Sequence, residues 1–360
     1  MSKAMTDVAE LTPQQRTVLE LMLKEKQAAS AVPRPVIETQ SRDTNTFPLS
    51  FGQQRLWFVQ GLAPESYVYN IPHALRFKGE LNVSAFEAAV NEIVRRHEIL
   101  RTTFIVREAQ PVQVISAPQS FTLTVDDLSG LEPEAREAEA LHLATGEARH
   151  VFDLEKGPLF RTRLLRLADD DFVFLLCMHH IICDGWSLGV FYRELEALYT
   201  AFLENQPSPL AELPLQYADF ACWQRDTLQG EVLAQQLGYW RDQLGQSLAP
   251  LELPTDRPRP SVQTFVGATE TKVLPKYMTR ALEEISRQAG TTMFMTMLAA
   301  FQTQLYLYTN RRDIVVGTAT ASRTRVEIER LIGFFTNTLV MRTDFSGNPS
   351  FQEIMAQVRE

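Results

Sequence analysis

The chain has 360 residues, 45% of them hydrophobic and 22% charged, with 35 basic against 44 acidic groups and a net charge of −9. That length can bury two domains or lobes, each with its own core, and the acidic balance argues against a nucleic-acid partner, which needs a basic footprint. Three cysteines, Cys177, Cys183 and Cys222, are odd in number and sit in apolar stretches, so they read as reduced core thiols of a cytoplasmic protein rather than a disulfide framework.

The opening MSKAMTDVAELTPQQR carries no apolar h-region, so no signal peptide is expected. Thr12, Pro13 and Gln15 fit an N-cap, a proline at the first helical position and a capping-box partner, which predicts a short amphipathic helix over residues 12–26. Residues 27–45, rich in Ala, Ser, Pro and Thr, predict a linker. Leu56, Trp57, Val59 and Leu62 predict a helix, and residues 84–100 a stronger one, with Phe86, Val90, Ile93, His97 and Leu100 at helical spacing. Strands are predicted at 111–115, at 121–125 from the alternation Phe121, Leu123, Val125, and at 160–167. The apolar run 172–182 reads as a strand buried on both faces, and residues 186–202 return to helical spacing. The proline-rich LELPTDRPRP at 251–260 marks an internal boundary. Helices are predicted over 279–288, 292–308 and 351–360, and a strand over 313–320. Residues 288–310 lack charge, but their threonines and glutamines favour a buried core helix over a membrane span.

The most informative stretch is Met178-His179-His180-Ile181-Ile182-Cys183-Asp184-Gly185. Two of the six histidines are adjacent at the end of the buried strand. Successive strand side chains point to opposite faces, so His179 and His180 cannot serve one site. Asp184, beyond the turn, can curl back towards an imidazole or an arginine, and Gly185 permits close backbone approach. A zinc site is disfavoured, because adjacent strand histidines diverge and no further ligand pair completes four. Gly185-Trp186-Ser187-Leu188-Gly189 matches G-x-S-x-G between a strand and a helix, but every histidine (His73, His97, His142, His150, His179, His180) precedes Ser187, which breaks the chain order of that hydrolase triad unless a histidine lies beyond residue 360. What remains is a histidine acting as base or positioning group for a neutral nucleophile.

These residues resemble a known family. His179-His180…Asp184-Gly185 is similar to the H-H-x-x-x-D-G signature of nonribosomal peptide synthetase condensation domains. Four further segments follow the family's order: 50–57 (SFGQQRLW), 96–104 (RHEILRTTF), 217–223 (YADFACW) and 332–338 (IGFFTNT), the last closing at Arg342. The resemblance implies an α/β, two-lobed chloramphenicol-acetyltransferase-like fold with the active site in a tunnel between lobes. It implies that a donor acyl or peptidyl thioester and an acceptor aminoacyl thioester arrive on 4′-phosphopantetheine arms of donor and acceptor peptidyl carrier proteins, and that the acceptor amine attacks the donor carbonyl. The domain then binds no cofactor or metal of its own, and touches neither nucleic acid nor membrane.

Carried over residue by residue, the resemblance makes His180 catalytic, with the Gly185 backbone N–H near the reacting thioester. His179, Asp184, Arg96 and Arg101 become structural support, with Asp184 held by an arginine; from its place in the loop after the 313–320 strand, leading towards the fifth motif, Arg323 is the expected partner. Trp186, Ser187 and Asn337 are expected along the tunnel; Tyr217, Asp219 and Trp223 pack at the inter-lobe contact. The two histidines exclude the heterocyclising subtype, and SFGQQRLWF with HHIICDGWS is more similar to domains joining two L-configured units or starting from a lipid. Two alternatives stay open: a stand-alone acyl-CoA acyltransferase of the looser H-x-x-x-D kind, and a non-catalytic docking platform. The expected organisation is residues 1–46 as N-terminal helix and linker, a docking element for an upstream donor protein, then 47–215 as the first lobe and 216–360 as the second. The family's last two motifs do not occur before Glu360, so the second lobe is expected to be incomplete, with adenylation and carrier domains downstream and activity belonging to the complete parent protein.

Overall fold

The computed structural model describes residues 35–245, 248–261, 263, 265 and 267–360; the helix expected over 12–26 lies outside them. Residues 39–360 form one compact unit. In chain order it contains β1 (Thr46–Pro48), α1 (Phe51–Leu62), β2 (Asn70–Lys78), α2 (Val83–Arg96), β3 (Thr102–Arg107), β4 (Gln110–Ile115), β5 (Thr124–Asp127), α3 (Pro133–Ala148), β6 (Phe160–Ala168), β7 (Asp171–His179), α4 (Gly185–Leu203), α5 (Tyr217–Thr227), α6 (Gly230–Leu244), α7 (Lys276–Ala289), α8 (Met293–Thr309), β8 (Asp313–Thr320), β9 (Asn337–Asp344) and α9 (Phe351–Arg359). Short 3₁₀ turns occupy Glu98–Arg101, His180–Ile182 and Val326–Ile328.

The central sheet has the order β2-β7-β6-β5, antiparallel except for the parallel β5–β6 pair. β7 is buried along almost its whole length, as its unbroken apolar run requires. β2 is an edge strand with a largely exposed face, which is why Pro72 is tolerated opposite Cys177: an edge strand has no ladder bond to lose on its outer side. α2 turns Ala85, Phe86, Ala89, Val90 and Ile93 inward, and its Phe86 ring meets Phe174 of β7 edge-on at 5.0 Å. A second sheet, β1-β4-β3, and a third, β8-β9, complete the strands among the described residues. Ala299, Leu305, Ile314, Phe345, Ile354 and Met355 form the core where α8 and α9 cover β8–β9.

Three expectations need correction. The run 172–182 is not one strand: after His179 it tightens into a 3₁₀ turn, because the Ile181 N–H is taken by the His179 ring and the Cys183 N–H by the His180 carbonyl. The strand predicted at 121–125 begins only at Thr124. Asn91 of α2 captures the Phe121 backbone instead, donating to its carbonyl and accepting its N–H, both at 2.9 Å, while Glu87 accepts the Leu123 N–H at 2.7 Å. Finally, the linker expected to reach Asn45 is tied down from Thr39 onward. Thr39 bonds the Pro214 carbonyl, and Arg42 forms ion pairs with Asp219 and Glu98.

Periodicity left β2, β3, α3, α5, α6 and β9 unread. α3 (PEAREAEALHLATGEA) has Ala140 as its one buried residue, so it offers little apolar stripe to detect. Asn91→Ala leaves two backbone groups of Phe121 without their partner, and is expected to cost about 1–3 kcal/mol; the fall in urea midpoint at unchanged m-value measures it.

Candidate active site

The two histidines lie in different surroundings, His179 at the end of β7 and His180 in the 3₁₀ turn that follows, and their hydrogen bonds assign opposite tautomers. His179 Nδ1 accepts the Ile181 N–H at 3.1 Å, so its proton is on Nε2, which faces Gln60 Oε1 at 3.5 Å. Its ring is buried among Tyr69 and Phe152. Burial, with a smaller push from His180, lowers its pKa to about 4. His180 does the reverse. Its Nδ1–H donates to the Cys183 carbonyl at 2.7 Å, an oxygen that can only accept, so in the neutral ring the lone pair is on Nε2. Among the described residues Nε2 has no hydrogen-bond partner, and the ring is half-buried with one side against the edge of Phe334, centroids 4.8 Å apart.

Asp184 caps α4. Its Oδ1 accepts from Ser187 N at 2.9 Å and from Ser187 Oγ at 2.7 Å, and its Oδ2 accepts the Phe335 N–H at 3.0 Å. Arg323 reaches the same Oδ1 at 3.1 Å; the two side chains are 0% and 1% exposed. Arg323 Nη1 also donates to the carbonyls of Ile328 and Leu331, at 2.6 and 2.7 Å, and its guanidinium lies 4.0 Å from the Phe335 ring centroid. Burial lowers the Arg323 pKa against the pull of Asp184. This ion pair thus ties the 184 turn to the 323–335 segment at the point where Phe334 meets His180.

Phe334 is fixed from behind. The Tyr217 hydroxyl donates to the Phe334 carbonyl at 2.6 Å and sits 2.8 Å from Ser50 Oγ, the N-cap of α1. A Cβ at Gly333 would fall 2.0 Å from the Tyr217 ring, so that position requires glycine, and one at Gly52 would press on Phe334 at 3.0 Å. Gly185 is different. It is exposed at the first turn of α4, and a Cβ there would meet nothing within 4 Å. Its φ is not positive, so its backbone is ordinary helix, and its N–H is one of the donors that a helix N-terminus leaves without an intrahelical acceptor.

The other expected residues separate. Arg96 is buried on Glu194, with bonds of 3.1 and 3.3 Å, and His97 shares that carboxylate at 3.0 Å. Burial would raise the Glu194 pKa, but His97 and Arg96 outweigh it and hold the carboxyl below its ordinary range. Arg101 points elsewhere, to the Ser116 carbonyl. Trp186 is 44% exposed and donates to the Glu329 carbonyl at 2.9 Å. Asn337 is exposed at the start of β9, opposite Thr320. Ser187 does not line a passage as expected: it is fully buried, with Oγ enclosed by Asp184, Arg323 and the Gly333 backbone. That enclosure also removes it as a nucleophile. Cys183, with a thiol pushed well above its ordinary pKa by burial, is equally inert. Tyr217, Gly333 and Phe334 were legible only as motif letters, since nothing in their spacing points at His180. Among the described residues no group of three His, Cys, Asp or Glu could hold a metal, and no helix is long and apolar enough to cross a membrane.

The family model of the condensation domain matches residues 43–360. The chain belongs to the condensation-domain family. It is 51% identical to one of the linear gramicidin synthase polypeptides of Brevibacillus parabrevis over 95% of its length, and 42% identical to the phosphinothricin tripeptide synthetase PhsC of Streptomyces viridochromogenes over its whole length. It spans 7% of the first of these relatives and 33% of the second. Among solved structures, the X-domain from teicoplanin biosynthesis in complex with OxyB superposes with a TM-score of 0.80 at 30% identity, covering 91% of this chain and 71% of that one. The first condensation domain of the CDA synthetase matches at 0.72 and 21% identity, covering 87% and 74%, a likeness of fold. The condensation domain described here therefore has the chloramphenicol-acetyltransferase-like α/β fold expected of its motifs.

Two outcomes test the geometry. Asp184→Asn leaves a buried guanidinium uncompensated and is expected to destabilise by about 3–5 kcal/mol, read as a lower denaturant midpoint. His179 has a folded pKa below its unfolded value, so its stabilising contribution is complete above the unfolded pKa of about 6.5 and is lost as pH falls from there towards 4. His179→Gln should flatten that limb of the stability–pH curve.

Proposed function

We propose that this condensation domain forms an amide bond between two carrier-bound thioesters, with His180 Nε2 as the group that receives or holds the proton of the attacking amine. The observation that carries this reading is the tautomer lock: with Nδ1–H committed to the Cys183 carbonyl, the only basic atom of the ring is Nε2. An amine attacking a thioester carbonyl loses one proton as the C–N bond forms. The C–S bond then breaks, and the departing sulfur takes up a proton to leave as a thiol. A neutral imidazole can accept the first proton and return it, which a carboxylate does poorly near neutral pH.

The Gly185 N–H, at the N-terminus of α4, is the donor best suited to the oxygen that gains charge when the carbonyl becomes tetrahedral. The missing Cβ leaves the thioester room to approach that N–H. Asp184 and Arg323 act on neither substrate; they hold the turn that carries both groups. His179 is a neutral structural ring. Much of the acceleration comes from bringing two tethered reactants together, worth about 7–11 kcal/mol at good alignment.

The partners in this reading are a donor and an acceptor peptidyl carrier protein, each presenting its substrate on 4′-phosphopantetheine, together with adenylation and carrier domains of the parent chain, in the cytoplasm. The domain supplies no cofactor. The relatives support it by being peptide synthetases. The likeness to the teicoplanin X-domain, solved with OxyB, supports a second reading in which the fold serves as a recruiting platform. His180→Ala separates the two. In the full-length protein, with both loaded carriers, it should slow amide formation by about 10²- to 10⁴-fold while leaving carrier affinity unchanged. An unaltered rate in a single-turnover assay would sink the proposed role for His180.

A further inference from the structure

A cavity of about 430 Å³ lies apart from the His180 turn, built from the start of β3, the 116–124 connection after β4 and the turn that leads into β6. None of its lining residues belongs to the 179–187 turn or the 323–335 segment. Its charged lining is cationic throughout, Arg101, Lys156 and Arg161, with no carboxylate among the described residues that face it, in a chain whose net charge is −9. The remainder mixes serine and threonine hydroxyls with an apolar wall that includes Phe121 and Phe160.

The three cations are not equally satisfied. Arg161 is held by Glu147 at 2.7 Å, and Lys156 by Asp153 at 2.8 Å. Arg101 has weaker compensation. Its nearest carboxylate, Glu98, is 3.8 Å away and already takes bonds of 3.1 and 3.2 Å from Arg42. One Arg101 nitrogen donates to the Ser116 carbonyl, while its Nε is buried without any hydrogen-bond partner. Burial lowers its pKa, and against Glu98 the nearby Arg42 and Arg95 lower it further. A buried guanidinium N–H left unpaired is costly, and a planar fork of this kind matches a carboxylate or phosphate.

We propose that this cavity binds a small organic anion, one carboxylate or phosphate group on a short apolar body, with the oxyanion on the Arg101 guanidinium and the apolar part against Phe121 and Phe160. The probes are pentanoate and inorganic phosphate, with pentanol as the uncharged control, titrated into the full chain by isothermal calorimetry. Saturable one-to-one binding of at least one anion, and none of pentanol, is expected; phosphate binding without pentanoate identifies a phosphate ligand, and the converse a carboxylate. Arg101→Met should weaken that binding about tenfold or more, the loss of a charge-assisted hydrogen bond. Lys156→Met, at a side chain 83% exposed whose removal spares the fold, should weaken it about two- to threefold. If Arg101→Met fails to fold, Arg101→Lys and Lys156→Met decide, and affinities unchanged in both would overturn the site. So would failure of both anions to saturate by about 50 mM, or equal binding of pentanol. The readout is binding, so it stands or falls independently of amide formation at His180.

Discussion

The site depends on one buried ion pair. Asp184 and Arg323, 139 residues apart, are both withdrawn from water and meet at 3.1 Å. Isolated burial of either charge would be prohibitive, and such a pair is retained only when its remaining hydrogen-bonding capacity is filled. Here it nearly is. Asp184 collects Ser187, Phe335 and Arg323, while Arg323 adds two backbone carbonyls and the Phe335 ring; only its Nε is left over. The pair adds specificity of placement more than net stability, because it makes any other arrangement of the 184 turn and the 323–335 segment leave a charge stranded.

Everything near His180 follows from that placement. The capped start of α4 holds Gly185, and the anchored 333–335 backbone presents Phe334 to the imidazole edge. Tyr217 locks the same backbone from the other side and reaches Ser50 at the head of α1. Three further motifs therefore back the turn that carries His180: 332–338 touches its ring through Phe334, 217–223 holds Phe334 through Tyr217, and 50–57 meets Tyr217 through Ser50. The fifth, 96–104, contributes the Arg96–Glu194 and His97–Glu194 contacts that hold α2 against α4, with the His97 ring also 3.4 Å from the Ile332 N–H.

Adjacent histidines take opposite electrostatic roles because their backbones differ. His179 ends a ladder strand and turns inward, where desolvation keeps it neutral. His180 begins a 3₁₀ turn closed by the Cys183 N–H on the His180 carbonyl, and the Cys183 carbonyl accepts the hydrogen bond from His180 Nδ1–H. Strand alternation predicts the divergence but not the tautomers, which depend on where the chain stops being a strand. The same limit explains Phe121, whose alternation with Leu123 and Val125 reads as a strand until Asn91 and Glu87 of a neighbouring helix claim its backbone. Edge and polar elements such as β2 and α3 were illegible for a related reason: they bury too little to leave a periodic apolar trace.

Read alone, the amino-acid sequence gives away the buried strand β7, the helices α2, α4 and α8, the family and the divergence of the two histidines. Those readings rest on local periodicity, chain order and motif letters, all properties of contiguous residues. The family resemblance implied an arginine partner for Asp184, the place of Arg323 after the 313–320 strand singled it out, and the fold brings the two together. The folded chain adds the hydrogen bond that holds His180 Nδ1, the enclosure of Ser187, the places of Phe334 and Tyr217 beside the 179–185 turn, and the cationic cavity that Arg101 lines. Each of these depends on groups distant in sequence competing for the same donors and acceptors, and that competition is settled only when the chain has folded.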